Sequence, residues 1–165
     1  MAEPILRTAR FADLDTTTLY ALLKLRVDVF VVEQESPYPD LDGRDTDPDA
    51  VHLWLERDEA PAAYLRILTD PDGAARIGRV VVAAEARGDR LAGRLMTAAL
   101  DLIGDRPAAL EAQSYLADFY RRFGFVATAP EYVEDGIPHL PMRRVGPPNA
   151  TAGRRPAPPP TDAAR

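Results

Sequence analysis

The sequence predicts a single α/β (α+β) domain in which helices flank one central sheet. Two kinds of apolar pattern alternate along the chain: short runs or alternations typical of strands, and longer segments with apolar residues at helical spacing. The most informative junction lies in residues 76–94, where a valine run precedes a Gly-containing connector and an apolar-periodic helix. A chain of 165 residues is long enough to bury one full core.

Strands are predicted wherever β-branched or alternating apolar residues lie between turn residues. Turn residues are concentrated at 58–61 and 70–73. His52 alternates with apolar residues in the first strand, which favours a structural role for this side chain. Six segments have the strand pattern: 51–55, 62–68, 77–83, 108–113, 125–128 and 140–145.

Three helices are predicted from their caps and their apolar spacing. Asp15 precedes three threonines and marks a helix start, and the run Val-Phe-Val-Val at 29–32, which is mostly β-branched, marks its end. A second helix is expected over about 90–103, ended by Gly104. The third begins with Ser114 as its cap and ends at Gly124. The second helix is expected to bury one face, formed by Leu91, Leu95, Ala98, Ala99 and Leu102.

Composition excludes several classes of protein. The net charge of −6 and the pI of about 4.9 argue against nucleic acid as a partner. The absence of cysteine excludes disulfides, a thiolate nucleophile and a cysteine metal site, and two histidines are too few for a His-rich metal site. The sequence has no signal-peptide pattern and no apolar run that could span a membrane, so we expect a cytoplasmic protein without a membrane partner. A homodimer stays open.

Two polar segments interrupt the apolar patterns. Residues 34–49 hold three prolines and six acidic residues, in an order that does not match a calcium-binding loop. We interpret this segment as a solvated loop that lines an active site, and its acids either attract a cationic amine or are simply hydrated. Residues 146–165 hold six prolines and no large apolar side chain, so the domain is expected to span 1–145 and the tail to be disordered.

The junction at residues 87–94 predicts an anion site. The first amides of a helix lack partners within the helix, and a glycine lets the backbone approach a phosphate closely. A P-loop is excluded, because Arg94 and Leu95 occupy the positions that require Lys and Ser or Thr. The G-x-G-x-x-G fingerprint of dinucleotide-binding proteins is also missing. Five arginines surround the junction and are expected to supply positive charge: Arg76, Arg79, Arg87, Arg90 and Arg94.

This junction resembles the pyrophosphate motif Q/R-x-x-G-x-G/A of the GNAT acyl-CoA N-acetyltransferases. Arg87 matches its first position and Ala92 its last, whereas Arg90 replaces the middle glycine. Residues 113–125 are similar to a second GNAT pattern, N-x-x-A-x-x-L/F-Y-x-x-x-G-F, with Tyr120 in register and Ser114 in place of Asn. Segments within 14–144, above all Val-Phe-Val-Val-Glu-Gln at 29–34, resemble the ElaA-like branch of that family.

The resemblance implies a GNAT fold, in which one mixed sheet holds CoA between two splayed parallel strands. It also implies acetyl-CoA as co-substrate, with Tyr120 as the general acid that reprotonates the CoA thiolate. Because the chain has no cysteine and no recognisable Ser–His arrangement, we expect direct transfer of the acetyl group to a primary amine, without an acyl-enzyme. Three residues remain candidates for the base: Glu33, Glu111 and His139. The expected cofactor-binding residues are Val80, Val81, Val82, Arg87, Gly88, Asp89, Arg90, Leu91, Ala92, Gly93 and Arg94.

Two functions other than catalysis by an acetyltransferase stay open at this point. A non-catalytic module that senses or scaffolds through acetyl-CoA would keep the turn at 87–94 but would tolerate loss of Tyr120. A P-loop-like nucleotide binder is disfavoured by Leu95. The acceptor cannot be read from the sequence.

Overall fold

The computed structural model describes residues 2–146, so the tail expected from residue 146 onward lies outside the described residues except for Gly146. Three helices are present in this range: α1 Thr16–Val27, α2 Leu91–Ile103 and α3 Ala117–Arg121. Eight strands are present there: β1 Ile5–Ala9, β2 Val51–Arg57, β3 Ala60–Thr69, β4 Ala75–Val82, β5 Ala108–Gln113, β6 Val126–Ala127, β7 Tyr132–Glu134 and β8 Ile137–Arg144.

The strands form one mixed sheet in the order β1-β2-β3-β4-β5-β8-β6, with β7 also paired to β8. The β4–β5 pair is parallel, and the other pairs are antiparallel. The parallel pair arises because α2 connects β4 to β5 as a crossover, whereas short turns join the antiparallel pairs β2–β3, β3–β4 and β7–β8. The predicted class of mixed sheet flanked by helices is therefore correct.

The parallel strands β4 and β5 separate almost at once. They are in register at only two residue pairs, Ala75 with Ala108 and Arg76 with Ala109. Beyond this point β5 stays paired along its whole length with β8, from Ala108 to Gln113. The edge of β4 that faces β5 is consequently left without a strand partner from Ile77 onward.

A β-bulge at Arg79 changes the direction in which β4 points its backbone groups. The register with β3 shifts between Tyr64 and Arg66, so β4 carries one extra residue there, and Arg79 has φ of 56°. Ala83 donates its N–H to Ala62 in β3 at 2.8 Å, and alternation along the strand then turns the N–H and C=O of Val82 away from β3. The backbone of Val80 faces the open edge for the same reason.

Helix α2 packs on the sheet through an apolar face that differs slightly from the predicted one. Its buried residues are Leu91, Leu95, Met96, Ala99 and Ile103. Leu102, which was expected to belong to this face, is 53% exposed. Gly104 ends the helix as predicted, with φ of 66° and an N–H donated to the carbonyl of Leu100.

Helix α1 begins where it was predicted, because Asp15 accepts a hydrogen bond from the N–H of Thr18 at 2.7 Å. It does not pass into an extended β-branched segment. The chain continues instead as a wider π-helical turn from Asp28 to Glu33, in which the N–H of Gln34 bonds to the carbonyl of Val29. This turn brings Glu33 within hydrogen-bond distance of Arg87, in the connector between β4 and α2.

Other boundaries also differ from the predictions. Ser114 does not cap α3: it opens a short 3₁₀ turn, the helix starts at Ala117, and no side chain caps it. The closing strands are 126–127 and 137–144 instead of 125–128 and 140–145. Strands β1 and β7 were not predicted, because both are short and mostly exposed and lack a clear apolar alternation.

Segment 34–49 is a loop with many exposed residues, as predicted, and Gln34, Ser36 and Tyr38 line the cleft described below. Three of its aspartates are not simply hydrated, however, because they form a largely buried cluster with arginines from three elements. Arg26 of α1 is 1% exposed and binds Asp40 at 3.0 Å and Asp45 at 2.7 Å. Arg66 of β3 binds Asp45 at 2.9 Å. We call this set the arginine–aspartate cluster; its members are Arg26, Arg66, Arg79, Asp40, Asp42 and Asp45.

His52 completes the packing of the arginine–aspartate cluster. The carbonyl of Asp45 can only accept, so Nε2 of His52 donates to it at 3.0 Å, and Nδ1 accepts from the hydroxyl of Tyr64 at 2.7 Å. Burial lowers the pKa of His52, which keeps the ring neutral. The structural interpretation of His52 from the sequence agrees with this position.

Removal of Asp45 from the arginine–aspartate cluster takes one carboxylate partner from each of two buried guanidinium groups, which leaves Arg26 with Asp40 and Arg66 with Asp42. The substitution Asp45→Ala should lower the free energy of unfolding by about 3–5 kcal/mol, the usual loss when one partner of a buried ion pair is deleted. Urea titration followed by the fluorescence of Trp54, the single tryptophan, measures this loss. Asp47→Ala is the matched control, because the exposed Arg44–Asp47 pair at 2.9 Å is worth about 0–1 kcal/mol. Equal losses in the two variants would contradict the prediction.

Candidate active site

A cleft of about 550 Å³ opens between β4 and β5 where these strands separate. All four residues expected from the sequence to take part in catalysis lie on its walls, although they come from four different elements. The predicted site residues that line the cleft are Glu33, Val80, Val81, Val82, Arg87, Ala92, Glu111, Tyr120 and His139.

The other predicted residues form the connector and the first turn of α2, at one end of the cleft. Asp89 is held there by Arg57 at 2.8 Å, and Leu91 is buried under the helix. Arg90, Gly93 and Arg94 lie along a shallow groove on the outer side of α2.

The start of α2 has the backbone geometry of an anion site. Gly88 has φ of 96°, and Arg90, the residue before the helix, has φ of 62°. The conformation that glycine favours is therefore kept at Arg90, where the GNAT motif has its middle glycine. The first bond within the helix runs from the N–H of Arg94 to the carbonyl of Arg90 at 3.3 Å, so the amides of Leu91, Ala92 and Gly93 precede the intrahelical ladder. These amides and the helix dipole favour a bound anion.

The expectation that five arginines supply one anion site is wrong for two of them. Arg76 binds Asp70 at 2.9 Å, and Arg79 binds Asp40 at 2.9 Å within the arginine–aspartate cluster. Arg94 reaches Glu3 at 3.4 Å. Among residues 2–146, the side chain of Arg90 has neither a hydrogen bond nor an ion pair, which leaves its charge available at the turn.

The side chain of Arg87, in the connector before α2, contacts both the carboxylate of Glu33 and the backbone carbonyl of Val82. Its Nη1 and Nη2 atoms donate to the two carboxylate oxygens of Glu33 at 2.6 and 2.9 Å. Its Nε and Nη2 atoms also approach the carbonyl oxygen of Val82 at 3.3 and 3.2 Å. The pair with Arg87 lowers the pKa of Glu33, so this carboxylate is held in its charged form.

Tyr120 stands in the cleft wall as an uncharged phenol. Its ring packs edge-on against Phe119 and Phe125, with centroids 5.0 and 6.3 Å away, and the residue is 6% exposed. Burial raises the pKa of Tyr120 above its ordinary value, because the phenolate would lose its hydration. No hydrogen bond within residues 2–146 occupies its hydroxyl. The group can therefore donate a proton to a bound molecule.

Glu111 and His139 lie together on β5 and β8 at the other end of the cleft. Glu111 accepts from the hydroxyl of Tyr132 at 2.7 Å and from Arg76 at 3.1 Å. His139 has its Nδ1 2.8 Å from the carbonyl of Ile137. A carbonyl only accepts, so Nδ1 carries the hydrogen, and a neutral ring then has its lone pair on Nε2.

Sequence reasoning missed two contributors to this end of the cleft. Tyr132 of β7 binds Glu111 and stacks on His139 with centroids 5.7 Å apart. The Asp-Gly turn at 135–136 between apolar residues is a hairpin signal that could have revealed β7. Gln34 accepts a hydrogen bond from Gln113 at 3.3 Å across the cleft, a contact that no local pattern indicates.

The fold and this cleft agree with a match between residues 24–145 and the family model of the acetyltransferase (GNAT) domain. The chain therefore belongs to the GNAT acetyltransferase family. It is a GNAT-type N-acetyltransferase, an enzyme of acyl transfer from a CoA thioester.

Curated relatives place the chain in the ElaA-like branch of this family. The ElaA protein of Escherichia coli K12 is 42% identical over 139 residues, which cover 81% of this chain and 91% of ElaA. A UPF0039 protein of Mycobacterium tuberculosis is 47% identical over 145 residues, which cover 86% and 93% of the two chains. The resemblance read from the sequence is thus confirmed.

Solved structures confirm the fold. The crystal structure of Escherichia coli ElaA matches with a TM-score of 0.81 at 39% identity, covering 86% of this chain and 99% of that one. An acyl-CoA N-acyltransferase from Pseudomonas aeruginosa matches with a TM-score of 0.81 at 46% identity and the same coverage. Across residues 2–146, none of the helices is both long enough and apolar enough to cross a membrane.

Proposed function

We propose that this chain transfers an acetyl group from acetyl-CoA directly to a primary amine of a small molecule or peptide. The observation that carries the proposal is the convergence of three features on one cleft: the open edge of β4, the amides at the start of α2, and the hydroxyl of Tyr120. The family's acetyltransferase description supports acetyl as the transferred group. Direct transfer is supported by the absence of cysteine from the chain.

The residues of the open edge fit an extended pantetheine arm. The backbone N–H and C=O groups of Val80 and Val82 face the gap between the strands and can pair with amides of the arm, as those of a neighbouring strand would. The amides of residues 91–93 suit the diphosphate that follows the arm. Arg87 and Arg90 add positive charge beside these amides.

Tyr120 is the proposed general acid. When the acceptor nitrogen bonds to the acetyl carbon, the carbon–sulfur bond breaks and the sulfur leaves with the electron pair. A phenol kept neutral by its buried ring can give this sulfur a proton, which makes it a better leaving group. The edge-on contacts with Phe119 and Phe125 fix the direction of the ring.

His139 is the proposed base among the three candidates. Its Nε2 carries a free lone pair in the neutral ring, whereas Arg87 holds Glu33 and Arg76 holds Glu111. The pair with Arg87 lowers the pKa of Glu33 and makes it a poorer base, and Glu111 is already engaged by the hydroxyl of Tyr132 and by Arg76. Nε2 therefore takes the first proton from the ammonium form of the acceptor, directly or through a water molecule. The nitrogen loses its second proton as the amide forms, and this proton passes through water to the Tyr120 phenolate and restores the phenol.

The acceptor end of the cleft favours a cationic amine. Glu111, Glu134 and Asp135 line it, and only Glu111 has an ion pair with an arginine within residues 2–146. The aspartates at 40, 42 and 45 do not contribute, because they bind arginines in the buried cluster. Selection of a cationic acceptor thus rests on the β7–β8 hairpin and not on the acidic segment 34–49.

A negative charge at the start of α2 is expected to repel the diphosphate of CoA. Gly88→Glu should weaken CoA binding about tenfold or more, measured by calorimetry, since an anion near a helix N-terminus is worth roughly 1–2 kcal/mol. Gly88→Gln separates this charge effect from backbone strain at φ of 96°. Gly73→Glu is the distant control, because Gly73 has φ of 91° and similar open space but lies in the β3–β4 turn. Unchanged affinity in Gly88→Glu would place the diphosphate elsewhere.

Removal of the Tyr120 hydroxyl is expected to slow the reaction without loss of binding. Tyr120→Phe keeps the ring contacts, so CoA affinity should persist while kcat falls by about 10²-fold, a modest value for a positioned acid. The assay is release of CoA with an amine from a panel of amines and peptides, chosen so that chemistry limits the rate. Tyr20→Phe, which changes an exposed tyrosine on α1, should behave like the unaltered protein. Normal turnover of Tyr120→Phe would reduce Tyr120 to a packing residue.

Loss of the lone pair of His139 is expected to be rescued by an added base. In His139→Asn the side-chain N–H can still reach the carbonyl of Ile137, but the lone pair on Nε2 is gone, so kcat should fall by about 10²-fold or more. Addition of imidazole should restore part of the rate to this variant and should leave Tyr120→Phe slow. If Glu111→Gln loses more activity and His139→Asn little, the base is Glu111.

A further inference from the structure

Arg87 occupies two groups that the substrates of the proposed reaction would need. Its guanidinium covers the carbonyl of Val82, the last residue on the open edge of β4, through contacts at 3.2 and 3.3 Å. The same guanidinium closes a two-bond ion pair with Glu33, whose carboxylate otherwise faces the cleft. One side chain therefore covers a hydrogen-bond acceptor for the donor arm and the negative charge of Glu33, whose chain neighbour Gln34 reaches Gln113 across the cleft.

The pair that holds Arg87 in this position is weak enough to exchange. The side chains of Arg87 and Glu33 are 43% and 46% exposed, and such pairs contribute little net free energy. A diphosphate at the start of α2 carries two negative charges against one on Glu33, and it accepts two parallel N–H bonds equally well. The turn at Gly88 lies one residue from Arg87, which brings the guanidinium within reach of such a ligand.

We infer that the guanidinium of Arg87 changes partner when CoA binds: it releases Glu33 and the carbonyl of Val82, and it binds the diphosphate of CoA. This exchange rests on the proposed function and adds a coupling between the two substrates to it. Withdrawal of the guanidinium uncovers the carbonyl of Val82 for an amide of the pantetheine arm. It also frees the carboxylate of Glu33, which then adds one unpaired negative charge to the cleft for an ammonium group of the acceptor. Arg87 is thus a positioning residue that makes the acceptor site more anionic after the donor is bound.

The exchange is tested by a double-mutant cycle on CoA affinity, with CoA itself as the ligand. Glu33→Gln should bind CoA about two- to fivefold more tightly, because the exposed ion pair no longer has to break. Arg87→Gln should bind it about tenfold more weakly, because a charge-assisted contact is lost. In the double variant the gain from Glu33→Gln should disappear. Glu56→Gln removes the comparable exposed pair with Arg7, far from the cleft, and should leave the affinity unchanged.

Each outcome of this cycle separates the exchange from simpler explanations. If Glu33→Gln still tightens binding in the absence of the Arg87 guanidinium, the effect is general repulsion of the diphosphate, and the exchange is overturned. If Glu33→Gln binds CoA no better than the unaltered protein, or Arg87→Gln binds it equally well, the exchange is also overturned. If the unaltered protein does not bind CoA at all, the proposed function itself fails.

A spectroscopic signature reports the movement of Arg87 directly. The Nε–H resonance of Arg87, assigned by its absence in Arg87→Lys, should shift when CoA is added, because its contact with the carbonyl of Val82 ends. In Glu33→Gln the resonance should already differ before CoA is added. A resonance that stays in place while CoA binds would overturn the exchange even if the affinities followed the expected order.

Discussion

The separation of β4 from β5 after two residue pairs is the constraint on which the site depends. It creates the cleft, and it exposes backbone groups that a continuous sheet would pair. The bulge at Arg79 is equally important, because its one extra residue reverses the direction of the backbone N–H and C=O groups that follow it. The backbone groups of Val80 and Val82 therefore face the gap. Without the extra residue of the bulge, the backbone alternation that starts at Ala75 would direct the N–H and C=O groups of the residues next to Val80 and Val82 toward the cleft instead.

The arginine–aspartate cluster holds this bulge in place. The Arg79 side chain leaves the strand at a left-handed residue and ends on Asp40, which also binds Arg26 of α1. Charge inside this region is thus matched between arginines from α1, β3 and β4 and aspartates from one segment. The cluster therefore accounts for three of the six acidic residues of 34–49 and for the absence of Arg79 from the anion site. Positive charge at the start of α2 is left to Arg87 and Arg90.

The sequence by itself determined the features that depend on local pattern. Alternation and helical spacing located most strands and the starts of α1 and α2, because backbone geometry repeats over a few residues. Arg87 and Tyr120, read through two family motifs, indicated the proposed CoA-binding turn and the proposed acid, and both side chains line the cleft. The short exposed strands β1 and β7 were not predicted, since such strands bury little apolar surface and need no strong apolar alternation.

Only the tertiary structure decided which charged groups meet. Asp45 was indistinguishable in the sequence from a hydrated loop residue, yet it is buried between two guanidinium groups. Ion pairs between residues far apart in sequence leave no local pattern, so the partnership of Glu33 with Arg87, 54 residues away, could not be read from the chain. The same applies to Tyr132 beside Glu111, because a hydrogen bond across strands depends on sheet order and register, which long-range packing determines.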